Sequence, residues 1–419
     1  MKFLFAAALL LIPPVQANDW PSWRGPDSDG KLLKAGDYPT EWSATKNIAW
    51  RIDLPDRSNS SPIAFGKRVF LTQSESEGRL RSLFCFDAEN GRTLWKKTVE
   101  YGKTEETHKT NPHGSASPIT DGTLVYAWHG NAGLYAYDFE GNEKWHRDLG
   151  SDYEHIWGTH AASPVLWGDS LLLQAGPGPK MKLFALRKDT GETIWDRDLD
   201  EFESRDAKQF KGSWATPFLL ENKNRTEMLL GLPGFLTSYD PETGNEFWRI
   251  AGLGDLCYTN VLTGSGRALY YCGYGGPGLG ATLPGPTETG DMTGTHRLWA
   301  DPPKGRSQNP QRIGSGQIIG DHCYLLNEPG VMQCSLVATG ELLWRERLSA
   351  NSWSSVNMIG NRLYVNDTRG TTYLLDPDPT GMKVIATNSL DENQHTNASP
   401  AFANGTIFFR TDTFLYGIR

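Results

Sequence analysis

Short runs of β-branched and aromatic residues recur along the chain, among them Val69-Phe-Leu-Thr72, Leu124-Val-Tyr126 and Leu363-Tyr-Val365, and Gly, Asp and Asn separate them. Alternation over so few residues, closed off by turn formers, is the pattern of half-buried strands joined by tight turns. It predicts an all-β chain rather than a helical bundle.

The strands are grouped by a repeat. The segment Cys85-Phe-Asp87-Ala-Glu-Asn-Gly91-Arg-Thr-Leu-Trp95 returns as Ala136-Tyr-Asp138-Phe-Glu-Gly141-Asn-Glu-Lys-Trp145 and as Ala185-Leu-Arg187-Lys-Asp-Thr190-Gly191-Glu-Thr-Ile-Trp195. Two more copies are Ser238-Tyr-Asp240-Pro-Glu-Thr243-Gly244-Asn-Glu-Phe-Trp248 and Ser335-Leu-Val337-Ala-Thr339-Gly340-Glu-Leu-Leu-Trp344. A degenerate fifth repeat ends at Trp299, and a seventh keeps Asp376, Thr380 and Gly381 but has Ile385 at the Trp position. From Trp95 onward the Trp-to-Trp intervals are 50, 50, 53, 51 and 45, a period in the range of propeller blades. Upstream of most copies stands a small residue before Pro: Ser61-Pro62, Ser117-Pro118, Ser163-Pro164, Thr216-Pro217 and Ser399-Pro400.

Each unit reads as four antiparallel strands, A to D, too small to bury both faces alone, so neighbours must stack. Gly permits positive φ in the C–D turn, and Asp caps that turn through its side chain. The indole on strand D covers the seam to the next blade; Trp50, Trp95, Trp145, Trp195, Trp248, Trp299 and Trp344 take this docking role. First strands near residues 61, 117, 163, 216, 258, 313, 354 and 399 make eight blades. The last repeat stops after a third strand, while Asn47-Ile-Ala-Trp50-Arg-Ile-Asp53 looks like a lone fourth strand, so the N-terminal strand completes the final blade and removes exposed edges. Residues 47–419 are therefore one eight-bladed β-propeller, and residues 18–46 form a lead-in packed on the outside of the ring.

The docking repeat, the Ser-Pro strand starts and the eightfold count resemble the PQQ-like (pyrroloquinoline-quinone-type) repeat propellers, the quinoprotein-like fold. The opening Trp20-Pro-Ser-Trp23-Arg-Gly-Pro26 is similar to exported, BamB-like members of planctomycete type. The resemblance covers nearly the whole mature chain. It implies the fold, while activity stays open among quinoprotein dehydrogenases, an outer-membrane assembly factor and binding modules. Members that are PQQ dehydrogenases hold the quinone between a Trp floor and a disulfide of adjacent cysteines, with calcium and an Asp base. Adjacent cysteines do not occur here, and although Trp214 or Trp353 could serve as a floor, no Glu, Asn and Asp constellation stands out. The expectation is no cofactor, with PQQ as the minority reading.

With 38% hydrophobic residues, 45 Gly, 15 Trp and 15 Tyr, the composition fits a turn-rich globular chain and excludes disorder and a membrane-spanning bundle. A net charge of -8 and a sequence pI of about 5.7 argue against a nucleic-acid partner. Residues 1–17 combine Lys2, an apolar run from Phe3 to Ile12 and a small-residue site at Ala17, which is a cleavable signal peptide too short to span a bilayer. A periplasmic or secreted monomer without a transmembrane segment is expected. Of five Cys, the pairs Cys257/Cys272 and Cys323/Cys334 each flank a turn, so two cross-strand disulfides and four buried thiols both fit; Cys85 reads as a small buried side chain.

Candidate chemistry gathers just before the strand starts. The segments leading into strand A share one face with the B–C loops, and there the chain places Arg57, Asn59, His113, His160, Trp214, Tyr258, Arg312, Trp353 and His395. A polar and aromatic ring round the axial funnel is the candidate site for a protein or carbohydrate-like ligand. The three His have no metal-ligand spacing. The run Gly273 to Gly280 reads as a long B–C loop, because Pro277, Pro284 and Pro286 deny the helix a phosphate cradle needs. A binding or scaffolding module is the preferred reading; the alternatives are an atypical quinoprotein dehydrogenase and a BamB-like accessory factor.

Overall fold

The computed structural model describes residues 19–34, 36–150, 152–158, 160–222, 224–301, 311–390 and 394–419; the signal-peptide expectation falls outside them. Eight sheets carry the architecture, each with the strand order A-B-C-D. Blades 1 to 7 occupy residues 63–100, 119–147, 165–198, 218–251, 262–300, 317–347 and 357–389. Blade 8 takes strands A to C from 401–418 and its outer strand from Ile48–Asp53. That strand runs antiparallel to Phe414–Ile418, with Trp50 opposite Gly417 and Ile52 opposite Leu415, so the ring is closed as the sequence predicts. One four-residue helix, Thr293–His296, is the α-helix of the described residues.

The indoles hold the seams. Trp50, Trp95, Trp145, Trp195, Trp299 and Trp344 donate their ring N–H to the carbonyls of Ala88, Phe139, Lys188, Pro241, Val337 and Asp378, each in the C–D turn of the next blade, at 2.8–3.1 Å. The turn glycine has two duties. Its φ is positive (+75° at Gly91), and a Cβ there would lie 2.5 Å from Trp50 Cε3 of the neighbouring blade, so the bare Cα is also the indole's seat.

Trp248 departs from its expected role. Blade 5 lacks the docking glycine, and the Trp248 ring N–H turns into its own blade to donate to Glu227 at 2.6 Å. The C–D insertion of blade 5 compensates by adding Gly290–Asp291 as a parallel fifth strand alongside blade 4's outer strand. In the same blade Gly278–Thr282 is strand C rather than part of a long B–C loop. Tyr271 and Trp299 pack where side chains at Gly278 and Gly280 would stand, which leaves only 272–277 as the B–C loop.

Only the later part of the lead-in lies on the outside, where Thr40 and Trp42 bond Asn388 on the outer strand of blade 7; its first part does not. Trp20 exchanges hydrogen bonds with Ala64 on strand A of blade 1, and the Thr120 N–H of blade 2 donates to the Pro21 carbonyl. Arg24 donates to the Ser315 and Gly316 carbonyls, Asn260 and Gln317 reach the carbonyls of Ser28 and Asp29, and Lys31–Leu32 joins strand A of blade 7 in parallel. Strands A are the innermost, so residues 20–32 cross the axis and stopper the channel. The physical reason is burial: Trp20 and Arg24 are each 1% exposed here, whereas on the outside of the ring they would stand in water.

All five cysteines are buried free thiols. Cys323 stands opposite Ser335 and Cys334 opposite Tyr324, so one residue of register puts the two on opposite faces of the sheet. Cys257 belongs to a short strand paired in parallel with Gly212–Ser213, not to the strand before Cys272.

Candidate functional site

At the start of strand A the polar residue, which Pro follows in five of the eight blades, does more than leave room. The N–H groups of Ser61, Ser117, Ser163, Ser315, Ser355 and Ser399, and of Asn260, each donate to a side-chain hydroxyl on the next blade, at 2.8–3.0 Å. The bonds run Ser61 to Ser117 to Ser163 to Thr216, then Asn260 to Ser315 to Ser355 to Ser399 and back to Ser61. Only the step from Thr216 to Asn260 lacks such a bond among the described residues. Strand A needs its first N–H satisfied where the blades converge too tightly for water, and a short hydroxyl on the neighbour is the side chain that fits.

Above this crown opens a cavity of about 390 Å³. Six of the hydroxyls, Ser61, Ser117, Ser163, Thr216, Ser355 and Ser399, line it. Trp23 of the stopper also lines it, so the funnel is blind on the lead-in side. Ser315 and Asn260 are outside the lining, because Arg24 and Ser28 of the stopper occupy that side of the axis.

Aromatic groups form the wall. Trp157 is the hub, with ring centres 4.8 Å from Phe210, 5.3 Å from Tyr274 and 6.2 Å from Trp214; Tyr258 stands edge-on to Trp214 at 5.0 Å. Trp214 is fixed by its ring N–H on the Gly158 carbonyl at 2.8 Å. Across the mouth Trp353 points its ring N–H at Glu328 Oε1, 3.4 Å away. Amides complete the rim: Asn397 donates to Asn59, whose own amide reaches the Thr110 carbonyl, while Asn111 holds the Trp157 carbonyl.

The structure sorts the nine sequence candidates. Asn59, Trp214, Tyr258 and Trp353 line the cavity. Arg57 is exposed and binds the Lys109 carbonyl, and His395 is exposed and pairs with Asp412 at 2.9 Å. Arg312 is buried against the Tyr271 ring and donates to the Gly276 carbonyl. His113 and His160 gather round Glu105 instead, where blades 1 and 2 meet. Sequence reasoning did not single out Trp23, Trp157 or Tyr274, which carry no repeat signature; the hydroxyl of each Ser-Pro was in view, but only its size was used.

The Glu105 cluster is electrostatically committed. Arg81, 1% exposed, ion-pairs with Glu105 and donates to the Gly78 and His129 carbonyls. Burial alone would raise the Glu105 carboxyl, yet the hydrogen bond and charge of His160 together with Arg81 outweigh it and hold the group at about 2. Burial depresses His160 despite Glu105, and burial beside Arg81 takes His129 to about 3. The cluster anchors the 105–115 segment, from which His108, Thr110, Asn111 and Ser115 reach the cavity.

Residues 43–228 match the model of a family described as outer membrane protein assembly factor BamB. Among solved structures, BamB from Moraxella catarrhalis is 16% identical with a TM-score of 0.59, over 88% of this chain and 95% of that one. The quinohemoprotein alcohol dehydrogenase from Comamonas testosteroni is 12% identical with a TM-score of 0.66, over 96% and 80%. The computationally designed Ika8 protein is 11% identical with a TM-score of 0.57, over 89% and 100%. The chain is an eight-bladed β-propeller that is similar, over residues 43–228, to the PQQ-like repeat family. Comparison with curated proteins returns no match. Identities this low speak for the fold of the propeller and not for its chemistry.

A PQQ site can be tested on the lining of this propeller. The quinone is a tricarboxylate that needs cationic partners, and its calcium needs clustered carboxylates. The lining has no Lys or Arg and one carboxylate, Glu328, and among the described residues no group of three His, Cys, Asp or Glu side chains is placed to hold a metal ion. The donor set does not fit that group.

Proposed function

We propose that this propeller is a binding module whose axial funnel takes the ligand, a protein or carbohydrate-like group, without catalysing its turnover. The observation that carries the reading is the blind cavity walled by Trp157, Trp214, Tyr258 and Trp353 over a hydroxyl crown: concave, with apolar aromatic walls and polar groups that converge on one axis, it has the make-up of a ligand pocket. Rigid aromatic side chains give contact area at small cost in side-chain entropy. Export belongs to the proposal, since the family description names an outer-membrane factor and the sequence opens with a signal-like segment; N-terminal sequencing of protein recovered outside the cytoplasm should begin at Asn18.

The test uses two arms. Titration calorimetry against soluble glycans and peptides should give a signal that the Trp157→Ala/Trp353→Ala variant loses while its unfolding midpoint holds; full binding by that variant removes the funnel from the account. Added PQQ and calcium should give neither stoichiometric quinone absorbance nor dye reduction with alcohols or sugars. Both signals together would instead establish the dehydrogenase reading.

A further inference from the structure

Six side chains in the funnel turn hydroxyl donors toward the cavity rather than to protein acceptors among the described residues. Ser61, Ser117, Ser163, Thr216, Ser355 and Ser399 are 2–6% exposed, and each oxygen accepts an N–H from the neighbouring blade. None of the six O–H groups donates to a protein acceptor among the described residues. A hydroxyl has one proton and two lone pairs, so each keeps a donor and a lone pair facing the space it lines. Buried donors without acceptors are costly, and a crown of them round one axis is matched by a guest rich in oxygen.

The rest of the lining says what kind of guest. A full anion would leave water for a cavity with no cation to meet it and with Glu328 at its mouth. A hydrocarbon would leave the crown unsatisfied. The wall offers flat aromatic faces, Trp157 and Tyr274 on one side and Trp353 on the other. Since Trp23 shuts the far side, a chain cannot thread through; only its end can enter.

We infer that the funnel binds the terminal residue of an uncharged glycan, one sugar ring lying against the indoles while its hydroxyl and ring oxygens accept from the Ser/Thr crown. This rests on the funnel being the ligand site and narrows it to one chemical class and one end of the chain. The amides of Asn59, Asn111 and Asn397 are already committed to protein partners, so the crown does the polar recognition.

The experiment titrates the full mature chain with reducing-end-tagged neutral oligosaccharides, uronic-acid-terminated counterparts and cyclodextrins, which have no ends, following tryptophan fluorescence and heat. At least one neutral linear glycan should bind with a dissociation constant on the order of 1 mM or tighter. The uronate and cyclodextrin should be weaker by about tenfold or more, as should Trp157→Ala binding to the neutral glycan. Removing one hydroxyl at a time from the sugar tests the crown without touching the fold, and at least one deoxy analogue should lose a similar factor. Failure of every neutral glycan, equal binding of cyclodextrin, or preference for the uronate would overturn the inference. Glycan binding undiminished in Trp157→Ala/Trp353→Ala would sink the funnel itself, whereas a peptide or anion bound in the wild type and lost in that variant would keep the funnel and refute the sugar.

Discussion

Replacing Gly91 by Ala tests how the blades are joined. The residue sits at φ +75°, and the added methyl would stand 2.5 Å from Trp50 Cε3 and 2.8 Å from Cδ2. Left-handed backbone costs an L-residue about 1–2 kcal/mol. Overpacking against a ring pinned by its hydrogen bond to Ala88 adds about 1–3 kcal/mol. Gly66 supplies the control, because its φ is +56° and a methyl there meets nothing within 4 Å. Gly66→Ala therefore bears the backbone cost alone, and the difference between the two variants isolates the indole seat. Equilibrium urea unfolding, followed by tryptophan emission and checked for reversibility, should place Gly91→Ala below Gly66→Ala by at least about 1 kcal/mol. Equal losses would show that glycine serves the turn and nothing else, and the seam account would be wrong.

Ser163→Ala strands the buried Ser117 N–H and should cost about 1–3 kcal/mol, while Ser163→Thr, which keeps the hydroxyl, should cost much less; the same urea curves read both. Glu105 has a folded pKa of about 2 against an ordinary 4.5, so its stabilisation is whole above about pH 4.5 and is lost as the pH falls towards 2, at most about 3 kcal/mol. His160, depressed by burial, adds a loss in the same direction below about pH 6.5. Glu105→Gln should be less stable at pH 7, because Arg81 is left buried without its counter-charge, and flatter between pH 4.5 and 2; an unchanged acid limb would deny the cluster this role.

The eightfold ring, its closure by residues 48–53 and the docking Trp were legible because each rests on a local pattern copied many times. Trp248 misled because its pattern is intact while its partner's is not: the missing glycine stands one blade later, and the chain repairs the seam with Gly290–Asp291. The stopper was invisible, since a single unrepeated segment gives no period, and whether Trp20 and Trp23 face outward or cross the axis depends on strands far along the chain. Four of the nine site candidates reach the cavity. Position before strand A puts a side chain on the right face, but whether it points to the axis or into a seam is decided by neighbours such as Gly78 and Gly130, whose bare Cα atoms accept the rings of His113 and His160.

Closure at the axis has a direct readout in amide hydrogen exchange. The N–H groups of Ser61, Ser117, Ser163, Asn260, Ser315, Ser355 and Ser399 are held across seams by hydroxyls alone, so a sealed ring predicts that they exchange together, as slowly as strands B and C and through the same global opening. Thr216, which lacks that bond, should exchange ahead of them. Independent exchange of these seven amides, at rates typical of surface loops, would contradict a ring locked at its centre.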